Sequence, residues 1–217
     1  MSRRTFLAWL AVLVGIVIAQ SATHLVLAMA ADRPRTVMDV EHSNGIPDLV
    51  SSGVLALAAV GALAIARAEE GERRVLALLA GSVLAALTLA DLLHDGAHPA
   101  SSNGKLVVGL VAVAAVLVGL VALRAGRRPR VTLLVAAGLL AGSFLVSGID
   151  RFEAFEGRRG ELTKEGRLVT KEGLELLGWS LVAIALWDEA LRRRGRQPQT
   201  ATARASRGRD RPRRRAA

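Results

Sequence analysis

The residues best suited to chemistry in this chain lie in one short run, Asp91-x-x-His94-Asp95-x-x-His98. Carboxylate and imidazole recur there at i, i+3, i+4 and i+7, so on a helix they share one face. His94 and His98, four apart, have the spacing with which paired histidines grip a single zinc ion. Gly96 and Pro99 interrupt the run, so the geometry depends on where the helix stops. Further polar groups sit at matching positions in other apolar stretches: His24 after Gln20, Asp150 after Ser143 and Ser147, and the pair Glu172 and Glu175. Hard carboxylates from Asp150, Glu172 or Glu175 would complete a shell for zinc, iron or manganese. The candidate ligands for a divalent metal are therefore His94, His98, Asp91, Asp95, His24, Asp150, Glu172 and Glu175.

Other chemistries find less support. Two histidines from different helices, such as His24 and His94, would be the axial pair of a haem, but aromatic residues are scarce and no second pair exists. A metal-dependent hydrolase would need a metal-activated water and a base such as Glu175. No Gly-x-Ser-x-Gly or His-Glu-x-x-His stretch accompanies it, and the absence of cysteine excludes disulfides and thiolate sites. The competing reading is structural. Asp48 and Glu172 near helix N-termini would favour the macrodipole, and Asp150 would pair with Arg151 or Lys171.

These residues are positioned by long apolar runs. The chain has 217 residues, 52% of them hydrophobic, yet carries 29 Lys plus Arg, with the two classes segregated. About 20 consecutive apolar residues span a bilayer core, and only helices satisfy the backbone there. Six such runs are expected as helices: 6–30, 49–66, 75–93, 106–123, 131–149 and 172–187. The sixth is weakest, because it reaches spanning length only with Glu172 and Glu175 at membrane depth. The fold class is thus all-α, a polytopic transmembrane bundle of about six helices within residues 1–191. Arg3-Arg4 before the first run resembles a twin-arginine signal, but its 25-residue length favours a retained helix. Helix four, lacking polar residues beyond Lys105, is expected to be the most lipid-exposed. Gly138 and Gly142 form a small-xxx-small pair suited to close packing.

Charge sets the orientation. With the N-terminus inside, segments 1–4, 67–74, 124–130 and 188–217 hold 20 basic and six acidic residues, while the rest holds nine basic and 13 acidic. The positive-inside rule then places both termini in the cytoplasm and the polar layer, with all four histidines, on the outer side. Residues 192–217 are Arg-rich and too poor in apolar residues to fold alone, so a disordered tail against anionic inner-leaflet lipids is expected. Without interleaved aromatics the tail is a poor nucleic-acid ligand. The Arg- and Ala-rich usage fits a bacterial plasma-membrane protein. Two functions fit this pattern: an outward-facing His/carboxylate chamber binding a divalent metal as a sensor, carrier or enzyme, or a membrane scaffold or assembly subunit without a site.

Overall fold

The computed structural model describes residues 2–30, 46–92, 102–148 and 158–195. These form six helices: α1 (Arg3–Ala30), α2 (Ile46–Ala68), α3 (Gly71–Leu92), α4 (Ser102–Leu123), α5 (Arg127–Gly148) and α6 (Arg158–Arg194). No strand occurs among the described residues. Within α1, α2, α3 and α5, segments of 20 to 22 residues are long and apolar enough to cross a membrane. α4 contributes a shorter apolar stretch, Val108–Leu123.

Five helices lie close to their expected runs, but α6 does not. It starts at Arg158 and continues for 37 residues, so Glu172 lies about four turns inside it. The residues before Glu172 are too polar to register as an apolar run, yet Arg, Lys, Glu and Leu are good helix formers. The macrodipole explanation of Glu172 is thereby removed, since that effect fades within the first turn. At the other end α6 carries Arg192–Arg194, the first residues of the expected tail, as helix. Residues 196–217 lie outside the described residues.

Contacts between helices follow a closed circuit. α2 packs on α3, α3 on α4, α4 on α5, α5 on α6, and α6 returns to α2, with α1 lying outside against α6. Small residues line the interior: Ala58, Ala62, Ala80, Ala114 and Ala136 are all fully buried. The peripheral helix is therefore α1, whose most buried hydrophobic residue is Val17, and not α4, which buries Ala114, Val118, Val121 and Ala122. Polar residues on α1 suggested an interior position, but a helix of small apolar residues packs inside a ring more readily.

The tightest approaches also differ from the expected pair. A Cβ added at Gly138 would meet nothing within 4 Å, and one at Gly142 would make an ordinary 3.6 Å contact with Leu174. Instead, a Cβ at Gly178 of α6 would lie 2.6 Å from Leu140 Cγ of α5, and one at Gly81 of α3 would lie 2.8 Å from Leu63 of α2. Small-residue spacing identifies a possible groove, whereas the neighbouring ridge decides whether it is used. The α2–α3 reversal is sharp because Gly71 adopts φ +61°, a left-handed conformation that costs a residue with a Cβ about 1 kcal/mol.

One end of the bundle is fastened by buried charge. Glu189 is 3% exposed, and both its carboxylate oxygens are engaged. Arg193 Nε donates to Oε1 at 2.6 Å, while Arg192 approaches Oε2 at 3.1 Å and the Gly126 N–H donates to it at 3.3 Å. Arg193 also pairs with Glu69 after α2, and reaches the Arg124 carbonyl beyond α4 at 3.4 Å. Arg130 turns back to the carbonyls of Ala122, Leu123 and Ala125, satisfying the end of α4. This network joins α2, α4, α5 and α6 at one level. Farther along α6, the Trp187 indole N–H donates to the Leu57 carbonyl at 3.0 Å.

Candidate functional site

The opposite end of the ring carries a polar group built from four helices. At the start of α2, Ser52 is 3% exposed and its hydroxyl donates to Asp91 Oδ2 at 2.6 Å. Asp91 stands in the last turn of α3, so this bond joins the two arms of the α2–α3 hairpin at their open end. A bond this short to a carboxylate is charge-assisted and holds the side chain in one rotamer.

α5 and α6 supply the other half. Ser143, fully buried on α5, donates to the Leu140 carbonyl one turn back at 2.8 Å and lies 3.5 Å from Glu175 Oε1. Lys171 on α6 contacts Glu172 Oε1 at 2.8 Å and Glu175 Oε2 at 3.9 Å. Among the described residues this end of the ring carries the carboxylates of Asp91, Glu172 and Glu175, with the Lys171 ammonium against the latter two. These acidic side chains are half-buried, at the boundary between packed interior and surroundings.

α1 passes beside this group. A Cβ at Gly173 would meet Val17 at 3.5 Å and Ser21 at 3.9 Å, which sets the crossing of α1 with α6 next to Glu172. His24 follows on α1 one turn nearer its C-terminal end; its side chain lies outside what is described.

Of the candidate ligands, Asp91, Glu172 and Glu175 are brought to one end of the ring. His94, Asp95, His98 and Asp150 lie outside the described residues, so the His94/His98 spacing has no structural counterpart here. Among the described residues no group of three or more His, Cys, Asp or Glu side chains stands close enough to hold a metal ion. The described arrangement by itself does not complete a coordination shell. Lys171 was one of two expected partners of Asp150, with Arg151; among the described residues it serves Glu172 and Glu175, while Asp150 and Arg151 lie outside them. Its position one residue before Glu172 and four before Glu175 was the available signal.

No curated protein and no solved structure matches this chain. A family model described as "Domain of unknown function (DUF8692)" matches residues 4–188. That interval takes in all six helices except Arg3 at the start of α1 and residues 189–194 at the end of α6, and the chain belongs to this family.

Proposed function

We propose that the protein is a multi-pass plasma-membrane protein of bacterial type whose six helices span the bilayer, with both termini cytoplasmic and a cation-binding chamber open to the outside. The ring arrangement supports six spans although only four helices pass the apolar test alone. α6 lies between α2 and α5 with α1 over it, so its polar residues need not contact lipid. Its stretch Ser180–Leu186 is buried by these neighbours. The basic segments after α2, between α4 and α5, and at the end of α6 gather at one level, which favours that side as cytoplasmic.

The observation that carries the chamber is that, among the described residues, Asp91, Glu172 and Glu175 lie at the other end with Lys171 beside the latter two. Ionisable groups at membrane depth are costly without compensation and commonly serve function. Asp91, held by Ser52, and Glu175, 3.5 Å from the Ser143 hydroxyl, offer hard oxygen ligands. The segments 93–101 and 149–157 leave the helices α3 and α5 at this level and carry His94, Asp95, His98 and Asp150. In this reading they close the shell around a divalent ion such as zinc, iron or manganese.

The test is the metal content of the detergent-purified protein by elemental mass spectrometry. Wild type is expected to retain roughly one equivalent of divalent metal, as a four-ligand shell requires. Asp91→Asn/Glu175→Gln and His94→Ala/His98→Ala are each expected to lose it. Metal absent from wild type after supplementation contradicts the proposal, as does metal retained by both double variants.

A second reading, a scaffold or assembly subunit, is favoured by Lys171 itself. Its contacts partly neutralise Glu172 and Glu175, and Arg167 adds a cation one turn before it. Under this reading the polar layer pins α2 to α3 and α5 to α6, and no metal accompanies the protein.

A further inference from the structure

A cavity of about 300 Å³ lies on the flank of the ring where α1 covers the α2–α6 contact; its deep end, at Val54 and Ser180, comes within two residues of Ser52 and five of Glu175. On α6 its lining runs from Ser180 to Leu191, eleven residues or ~16 Å of helix. This is about half of the ~30 Å hydrocarbon thickness of a bilayer, the depth of one leaflet. Ala183 and Ile184 form its floor between those limits. The side walls are open: Leu57 of α2 is 53% exposed and Trp9 of α1 is 55% exposed. The Ser180 hydroxyl at the deep end is buried without a hydrogen-bond partner among the described residues.

The mouth has the opposite character. Leu191 lies three residues before Arg194, and Trp9 lies five residues after Arg4, with both arginines exposed. Since α1 and α6 run antiparallel, the two guanidinium groups belong to the same end of the groove, one turn or so beyond its apolar lining. Tryptophan at this level suits a headgroup boundary, and exposed arginines suit an anionic phosphate beside it.

We propose that this groove holds one acyl chain of an anionic phospholipid from the leaflet at the basic end, with the phosphate at Arg4 and Arg194. The chain enters sideways between Trp9 and Leu57 and reaches Ser180 near the bilayer midplane. The inference rests on the membrane-spanning reading and is independent of the cation chamber.

The test reconstitutes the full chain in vesicles of equal phosphatidylglycerol and phosphatidylcholine, extracts it in mild detergent and weighs it by native mass spectrometry. One retained phospholipid is expected, predominantly phosphatidylglycerol. Leu57→Trp fills the groove from its exposed wall with little burden on folding, and Ala183→Phe fills its floor; both are expected to lose the lipid. Arg4→Gln/Arg194→Gln is expected to keep a lipid but to reduce the preference for phosphatidylglycerol by about tenfold. Retention of both lipids at the vesicle ratio by wild type, no retained lipid, or retention by Leu57→Trp overturns the proposal. An alkaline wash of the same vesicles separates the causes: protein released by the wash sinks the membrane reading as well, whereas inserted protein without lipid sinks only the groove.

Discussion

Glu189→Ala is expected to destabilise the bundle by about 3–5 kcal/mol, the range for breaking a buried ion pair by removing one partner. Both oxygens of Glu189 are committed, to Arg193, Arg192 and the Gly126 N–H, and the side chain is 4% exposed. Alanine there removes the Glu189 carboxylate from Arg193, whose side chain is 11% exposed. The loss is read as a fall in thermal midpoint in detergent, about 10 °C or more for a chain of this size. Glu72→Ala is the control. Its contact with Arg124 spans 4.0 Å between exposed groups and is expected to be thermally silent. The double variant Glu189→Ala/Arg193→Ala should lose less than the sum of its singles, because each single strands the charge that the other removes. A fully additive result would show that the network is only a surface arrangement.

Gly178→Leu is expected to separate α5 from α6. An added Cβ already lies 2.6 Å from Leu140 Cγ, 2.8 Å from its Cδ2 and 3.3 Å from the Ala136 carbonyl oxygen. A leucine adds three more carbons in the same direction, and overpacking of this kind costs ~3 kcal/mol or more. Better helix propensity returns at most ~1 kcal/mol, so the steric effect wins. Gly178→Ala should be much milder, since its single carbon can be met by a shift of the half-buried Leu140 and is offset by propensity. Adding Leu140→Ala to Gly178→Leu is expected to restore much of the thermal midpoint. No restoration would mean that the Ala136 backbone, not the Leu140 side chain, sets the limit. Because α5 and α6 also present Ser143 to Glu175, less than one turn from Gly178, Gly178→Leu should disturb the acidic end of the bundle as well.

Apolar runs located five helices because lipid-like stretches and charged connections alternate plainly in this chain. α6 escaped that signal at its start because helix formation and apolar surface are separate properties, and Arg158–Lys171 has the first without the second. The shared level of Ser52, Asp91, Ser143 and Glu175 was legible by counting helical rise from a common boundary. Their pairing was not. Whether Ser52 meets Asp91 depends on the α2–α3 reversal at Gly71, and nothing local to either residue encodes it. Polarity along α1 suggested an inside position, whereas the ring closes by contact of α6 with α2 and leaves α1 outside. Gly138 and Gly142 matched a packing motif that no opposing ridge uses, while Gly178, Gly81 and their leucine neighbours had no motif to announce them. Glu189 and Arg193 were visible as an i, i+4 pair, but their bond to Glu69, far away in sequence, was not.

The central claim is a bundle in the plasma membrane with its acidic chamber outside and its fastened basic end inside, and its most direct test is thiol accessibility. The chain has no cysteine, so each introduced cysteine is a lone reporter. Ser102→Cys marks the acidic end at the start of α4, and Glu70→Cys marks the basic end in the α2–α3 turn. In intact cells a membrane-impermeant maleimide is expected to label Ser102→Cys, and to label Glu70→Cys only after the membrane is permeabilised. Labelling of Glu70→Cys in intact cells with Ser102→Cys protected would invert the orientation, and labelling of both or of neither before permeabilisation would contradict the span count.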